Sequence, residues 1–150
     1  MERNILTIHN DYAATMCAAI DMDDPTQKAK AKQIISDLQD TLKASETGVG
    51  IAAPQIGENY RIFIFTLNNG KKIPLINPHI LGFVHNKTSL VEGCLSCPGE
   101  QVQVFRHEII HAAGTLLTGQ EKGFRLRGLE AKIFQHELDH LNGKLIVDYK

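Results

Sequence analysis

The sequence predicts an α+β domain, and three observations carry that expectation. From residue 60 onward, short runs of β-branched and aromatic residues alternate with glycine, asparagine and polar turns, the rhythm of antiparallel sheet. Two segments, 25–44 and 128–142, instead space their apolar residues at helical steps of three and four. A chain of 150 residues with 43% hydrophobic content suits one domain, residues 1–150, able to bury a core without disulfide staples.

Taken in order, Asp24-Pro25 supplies a helix cap followed by proline at the first helical position, and Ala31, Ile34, Ile35, Leu38 and Leu42 then share one face. GVGIAAPQIG, 48–57, is small and glycine-punctuated, so an extended or looped segment of close backbone packing is expected. YRIFIFTL, 60–67, reads as a strand, Asn69-Gly70 as a hairpin turn and KKIPLINP, 71–78, as the return strand, where Pro74 requires an edge or a bulge. Further short strands are expected in HILGFV, TSLVEG, QVQVF with HEIIHA, GTLLTG and GFRLRG. GLEAKIFQHELDHLNG, 128–143, reads as a second helix stopped by Asn142-Gly143. The histidines at 9, 79, 85, 107 and 111 lie in turns or strands without ligand spacing.

Composition narrows the function. Sixteen basic and 17 acidic residues are well mixed at a net charge of −1, so no basic face advertises nucleic acid or an anionic membrane. Aromatic residues make up 6% and tryptophan is absent, which argues against base-stacking platforms. No run approaches the ~18 apolar residues of a membrane span, and no apolar core of a signal peptide follows the N-terminus. Three cysteines, at 17, 94 and 97, are odd in number and too few for a disulfide framework. A soluble protein of a reducing, cytoplasmic compartment is expected.

The chemistry concentrates in two places. His136 and His140 stand four apart, so one helical turn sets both imidazoles on one side with Glu137 beside them, the HExxH arrangement. Cys94 and Cys97 sit in EGCLSCPG, 92–99. A structural zinc site fills four positions with protein ligands, whereas a catalytic one keeps a place for water. Residues 98 to 135 separate the cysteines from the histidines, too many for a compact finger. A longer-range closed site with both cysteines and an open site with one both remain.

EGCLS at 92–96, GVGIAAPQ at 48–55 and QHELDH at 135–140 together resemble the three signature motifs of the peptide deformylases, in the same order. The resemblance spans about 48–147, with LINP at 75–78 and Arg106 in support. The first 45 residues share only a short strand and a helix ahead of the glycine motif. It implies antiparallel β-sheets surrounding a central HExxH helix, and an enzyme that removes the formyl group from the formyl-methionine of new polypeptides and releases formate. By the same resemblance Cys94, His136 and His140 hold one divalent ion. Fe(II) is expected, and zinc, nickel or cobalt are acceptable to the same donors. Glu137 is then the proton acceptor and donor, with Gln55 and the backbone N–H of Leu95 as donors to the oxyanion.

Cys97 stands where the family usually has an aliphatic residue and is expected to pack. Val49, Leu90, Leu129 and Ile133 are expected to form an apolar pocket for the methionine side chain, with Gly50 and Gly93 beside the substrate backbone. Lys132 departs from an apolar family position at the pocket rim. Glu92, Asp139 and Arg106 are expected to orient the ligands. Gly48, Gly50 and Ala53 also fit a dinucleotide fingerprint, which fails because the segment follows a helix and runs into Pro54-Gln55. Many family members continue into a C-terminal helix that docks on the ribosome. This chain runs seven residues past Gly143, so stable docking by that route is not expected. An endopeptidase using the same helix, and a binding module with Cys97 as fourth ligand, are the rival readings.

Overall fold

The computed structural model describes residues 1–150. Helix α1 spans Pro25–Ala44 and is followed by β1 (Gly50–Ala52), a 3-10 turn at Ala53–Ile56, β2 (Ile62–Thr66), β3 (Lys72–Phe83), β4 (Lys87–Glu92), β5 (Val102–His107), β6 (Ile109–Thr115), β7 (Glu121–Arg127) and α2 (Leu129–Leu141), with a last 3-10 turn at Ile146–Tyr149. Strands β1-β2-β3-β6-β7 make a five-stranded antiparallel sheet, and β4-β5 form a separate antiparallel pair.

Strand β2 explains how the layers assemble. Its run Ile62-Phe63-Ile64-Phe65 is buried throughout, because the alternation of side chains sends the two halves to opposite faces. Ile62 and Ile64 join Ile34, Leu38 and Leu42 of α1, while Phe63 and Phe65 join Phe134, Ala131 and Leu141 of α2. The sheet is thus covered by a helix on each side, and α2 is held between it and β5. Phe134 meets Phe63 and Phe65 edge-on at 5.0 and 5.2 Å between centroids, so truncating it to alanine would cost about 3–5 kcal/mol. Gln135 ties α2 to β5 by accepting from the His107 N–H (3.0 Å) and donating to the His107 carbonyl (2.8 Å), as a neighbouring strand would.

Helix α1 has the expected bounds, and the Asp24 carboxylate accepts from the Thr26 N–H at 2.9 Å. Helix α2 ends at Leu141, with Asn142 as its C-cap and Gly143 at φ 77°, as the Asn-Gly pair requires. Pro74 lies in the half of β3 paired only with β2, where a residue without an N–H is tolerated.

Four expectations need correction. KKIPLINP and HILGFV are one strand, β3, whose register slips between Ile76 and His79 and again before Gly82. The chain continues past Asn-Pro because Asn77, at φ 52°, exchanges two side-chain hydrogen bonds with the backbone of Ile20 and so serves as a bulge. GTLLTG is not a strand: Gly114 and Thr115 finish β6, and Leu116–Gln120 turn into β7 with Gly119 at φ 91°. QVQVF and HEIIHA divide at Glu108 into β5 and β6, which belong to different sheets. The expected short N-terminal strand is absent; residues 1–24 make only isolated bridges, such as Met16 with Asn142 and Ala18 with Tyr60.

Candidate metal centre and active site

Three elements converge at the middle of α2. The helix presents His136, Glu137 and His140; the turn after β4 presents Cys94; the 3-10 turn after β1 presents Gln55. One ligand atom each from Cys94, His136 and His140 lie within 4.8 Å of one another. Cys94 Sγ is 3.4 Å from His140 Nε2. Cys97 is not part of that cluster: it is fully buried beside Val102, Val104, Leu145 and Ile146, the packing role expected of it. The donor set of one thiol from a turn and two imidazoles from one helix fits a divalent ion of borderline softness.

Outer contacts fix both rings. Glu92 accepts at 2.9 Å from His136 Nδ1, which leaves Nε2 facing inward. Glu92 is in turn gripped by Arg106, through Nε at 2.6 Å and Nη2 at 2.8 Å, and Arg106 Nη1 reaches Asp139 at 2.9 Å. Glu92 and Arg106 are buried, so the three charged residues expected near the ligands form an enclosed network. Tyr149 donates to the same Asp139 oxygen at 2.7 Å. Ser96, Tyr12 and Tyr149 belong to this surrounding and were not anticipated. The contacts of Ser96 and Tyr12 join residues far apart in the chain, and Tyr149 reaches Asp139 only because the last turn folds back on α2, so no spacing announces them.

The electrostatics follow from enclosure. Burial raises the Glu137 carboxyl to about 7. Burial alone would lower His136, but the Cys94 hydrogen bond and the Glu137 and Glu92 carboxylates outweigh it and push the imidazole up to about 10. Burial and the neighbouring His136 charge hold His140 well below its ordinary value. Burial would raise Glu92, but the Arg106 hydrogen bonds keep it below the usual carboxylate range. Glu137 Oε1 is buried without a hydrogen-bond partner.

Gln55 is buried, and its orientation is set on both sides: Oε1 accepts from the Ala52 N–H at 2.9 Å, while Nε2 donates to Ser96 Oγ at 3.1 Å and lies 4.0 Å from Cys94 Sγ. The Leu95 N–H donates to no protein acceptor. Gly50 is required by close approach, because a Cβ there would lie 2.7 Å from Glu137 Oε2.

A cavity of about 640 Å³ opens beside these groups. Every expected substrate residue lines it: Val49 and Gly50 on one side, Leu90 and Gly93 on another, Leu129 and Ile133 from α2. Val49, Leu90 and Leu129 are 50%, 40% and 52% exposed, so they are cavity walls rather than core. Lys132 also lines the cavity and pairs with Glu108 at 3.8 Å. His140 lies behind the wall, 1% exposed.

Residues 2–150 match the family model described as polypeptide deformylase. The peptide deformylase of Dictyoglomus thermophilum is 43% identical over 119 residues, covering 79% of this chain and 76% of that one. A crystal structure of peptide deformylase from Thermotoga maritima superposes with a TM-score of 0.88 at 31% identity, covering 99% and 97% of the two chains. The Met-Ala-Ser-bound class I type b peptide deformylase of Acinetobacter baumannii superposes at 0.87 with 28% identity and 99% coverage of both. With the family's motifs assembled around one cavity and the match running almost end to end, the chain belongs to the polypeptide deformylase family.

Proposed function

We propose that this chain carries out its family's reaction with Cys94, His136 and His140 as metal ligands, Glu137 as general base and acid, and Gln55 with the Leu95 N–H as oxyanion donors. The protein is a metal-dependent hydrolase that removes the N-formyl group from the formyl-methionine of new polypeptides and releases formate. The observation that carries the residue assignment is the convergence of three ligand atoms within 4.8 Å next to a buried, partnerless carboxylate oxygen.

A divalent ion held there supplies Lewis acidity, lowering the pKa of water and polarising the formyl carbonyl. Glu137 takes the proton of the attacking water and returns it to the departing amine, a task suited to a carboxyl that burial has moved near neutrality. The Ala52 N–H holds the Gln55 carbonyl oxygen and Ser96 Oγ takes one amide hydrogen, so the side chain is fixed and its second amide hydrogen is left for the oxyanion. The outer edge of β1, which pairs with no other strand and meets the cavity at Gly50, offers backbone groups to an extended peptide as an added strand, with Val49, Leu90, Leu129 and Ile133 enclosing the methionine side chain. Iron(II) is the resident ion in this proposal, the compartment is the cytoplasm, and the substrates are nascent chains.

Formate release from a short formyl-methionyl peptide by the nickel-loaded protein, with Glu137→Ala as control, tests the assignment. Release that disappears in the control is expected; a folded, metal-loaded protein that releases none, or cleaves internal peptide bonds instead, would overturn it.

A further inference from the structure

We infer that Tyr12 is a positioning residue for His140, the inner end of an N-terminal strap that ties the three segments of the site together. The inference rests on the metal-centre reading above. The strap runs from Leu6 to Tyr12 and makes one hydrogen bond to each segment. The Leu6 N–H donates to the carbonyl of Gln55 at 2.7 Å, the Ile8 N–H donates to the carbonyl of Ser96 at 2.8 Å, and the Tyr12 hydroxyl lies 2.8 Å from His140 Nδ1. The Tyr12 N–H and the Asn10 N–H both turn back to the Thr7 carbonyl, at 3.0 and 2.9 Å, and Asp11 takes φ 68° to allow it. This tight loop sends Tyr12 inward, where it packs against the cluster containing Cys97, Val102 and Leu145.

The two imidazoles are therefore held by different chemistry. His136 has the Glu92 carboxylate on its outer nitrogen, whereas His140 has a phenol. His140 is enclosed, so Tyr12 is the side chain that orients the ring and satisfies Nδ1. When Nε2 serves as ligand, Nδ1 keeps its proton and donates to Tyr12 Oη; a hydroxyl can accept as readily as donate. A phenol is uncharged near neutral pH, so Tyr12 adds no charge to the centre. Residues beyond the metal ligands that orient an imidazole in this way typically govern metal affinity.

The test uses the full chain with Co(II) as probe. Its dissociation constant, from chelator competition, and its visible absorption are compared for wild type, Tyr12→Phe and Tyr12→Ala, with circular dichroism as the check on folding. Tyr12→Phe removes one oxygen and keeps the ring, and is expected to bind Co(II) about 10- to 100-fold more weakly, with altered absorption. Wild-type affinity and absorption in Tyr12→Phe would overturn the inference, and so would a loss confined to Tyr12→Ala, which would assign the effect to packing of the ring. A wild-type protein that binds Co(II) but releases no formate would overturn the proposed function, while the affinity comparison would still decide the role of Tyr12.

Discussion

Substituting Gly50 with alanine places a methyl group against the carboxylate of Glu137. The added Cβ would lie 2.7 Å from Oε2 and 3.0 Å from both Cδ and Cγ. Carbon atoms normally approach to about 3.5–4.0 Å, so the overlap is on the order of half an ångström or more at three atoms. Glu137 is 3% exposed and packed on one side but lines the cavity on the other, so it can either hold its place or swing toward the open space. If the carboxylate stays, the strain is that of an overfilled core, about 1–3 kcal/mol, or roughly 3–10 °C in Tm for a chain of this size. If it swings aside, stability is spared but the proposed proton-transfer group is displaced, and a shift of about 1 Å can reduce turnover ~100-fold.

Thermal melts and formate release on the same samples separate the two cases, and a double-mutant cycle isolates the contact. In the Glu137→Ala background the stability cost of Gly50→Ala should vanish. Wild-type Tm together with wild-type formate release in Gly50→Ala would refute the reasoning, as would a stability cost that survives in the Glu137→Ala background.

Other outcomes follow from the same geometry. If Gln55 has the proposed oxyanion role, Gln55→Ala should lower kcat by about 100-fold or more with KM changed much less, since such a donor acts mainly in the transition state; steady-state kinetics on a formyl-methionyl peptide checks this. Arg106→Met leaves the buried Glu92 and the partly buried Asp139 without their cation, so it should cost about 3–5 kcal/mol, on the order of 10 °C in a thermal melt. Because the His136 imidazole is held up to about 10, it keeps a proton at neutral pH that an incoming ion must displace. Metal affinity should therefore rise with pH and metal uptake should release acid, measured by chelator competition at several pH values and by titration in weak buffer. In the metal-free protein the sign reverses. The stabilisation from protonated His136 is complete below about 6.5 and is lost as pH rises toward about 10.

What could be read from residue order alone was whatever is local. The four-residue step from His136 to His140, the Asp24-Pro25 start of α1 and the Asn69-Gly70 hairpin each depend on neighbours within about one turn of chain, so spacing and residue type suffice. The roles proposed for Cys94 and Gln55 came from resemblance, since nothing in their own neighbourhoods directs them toward a helix some forty or more residues ahead. Folding brought the rest together. The fusion of two expected strands into β3 depended on Asn77 finding Ile20, and the exclusion of Cys97 from the ligand cluster depended on a hydrophobic pocket contributed by β5 and the last turn. The support of His136 required the Glu92–Arg106–Asp139 network, and that of His140 required a tyrosine from the opposite end of the chain. Such contacts form when burial of apolar surface packs distant segments and every polar group carried inside must find a partner. Their identity is a property of the assembled core and leaves no periodic trace in the sequence.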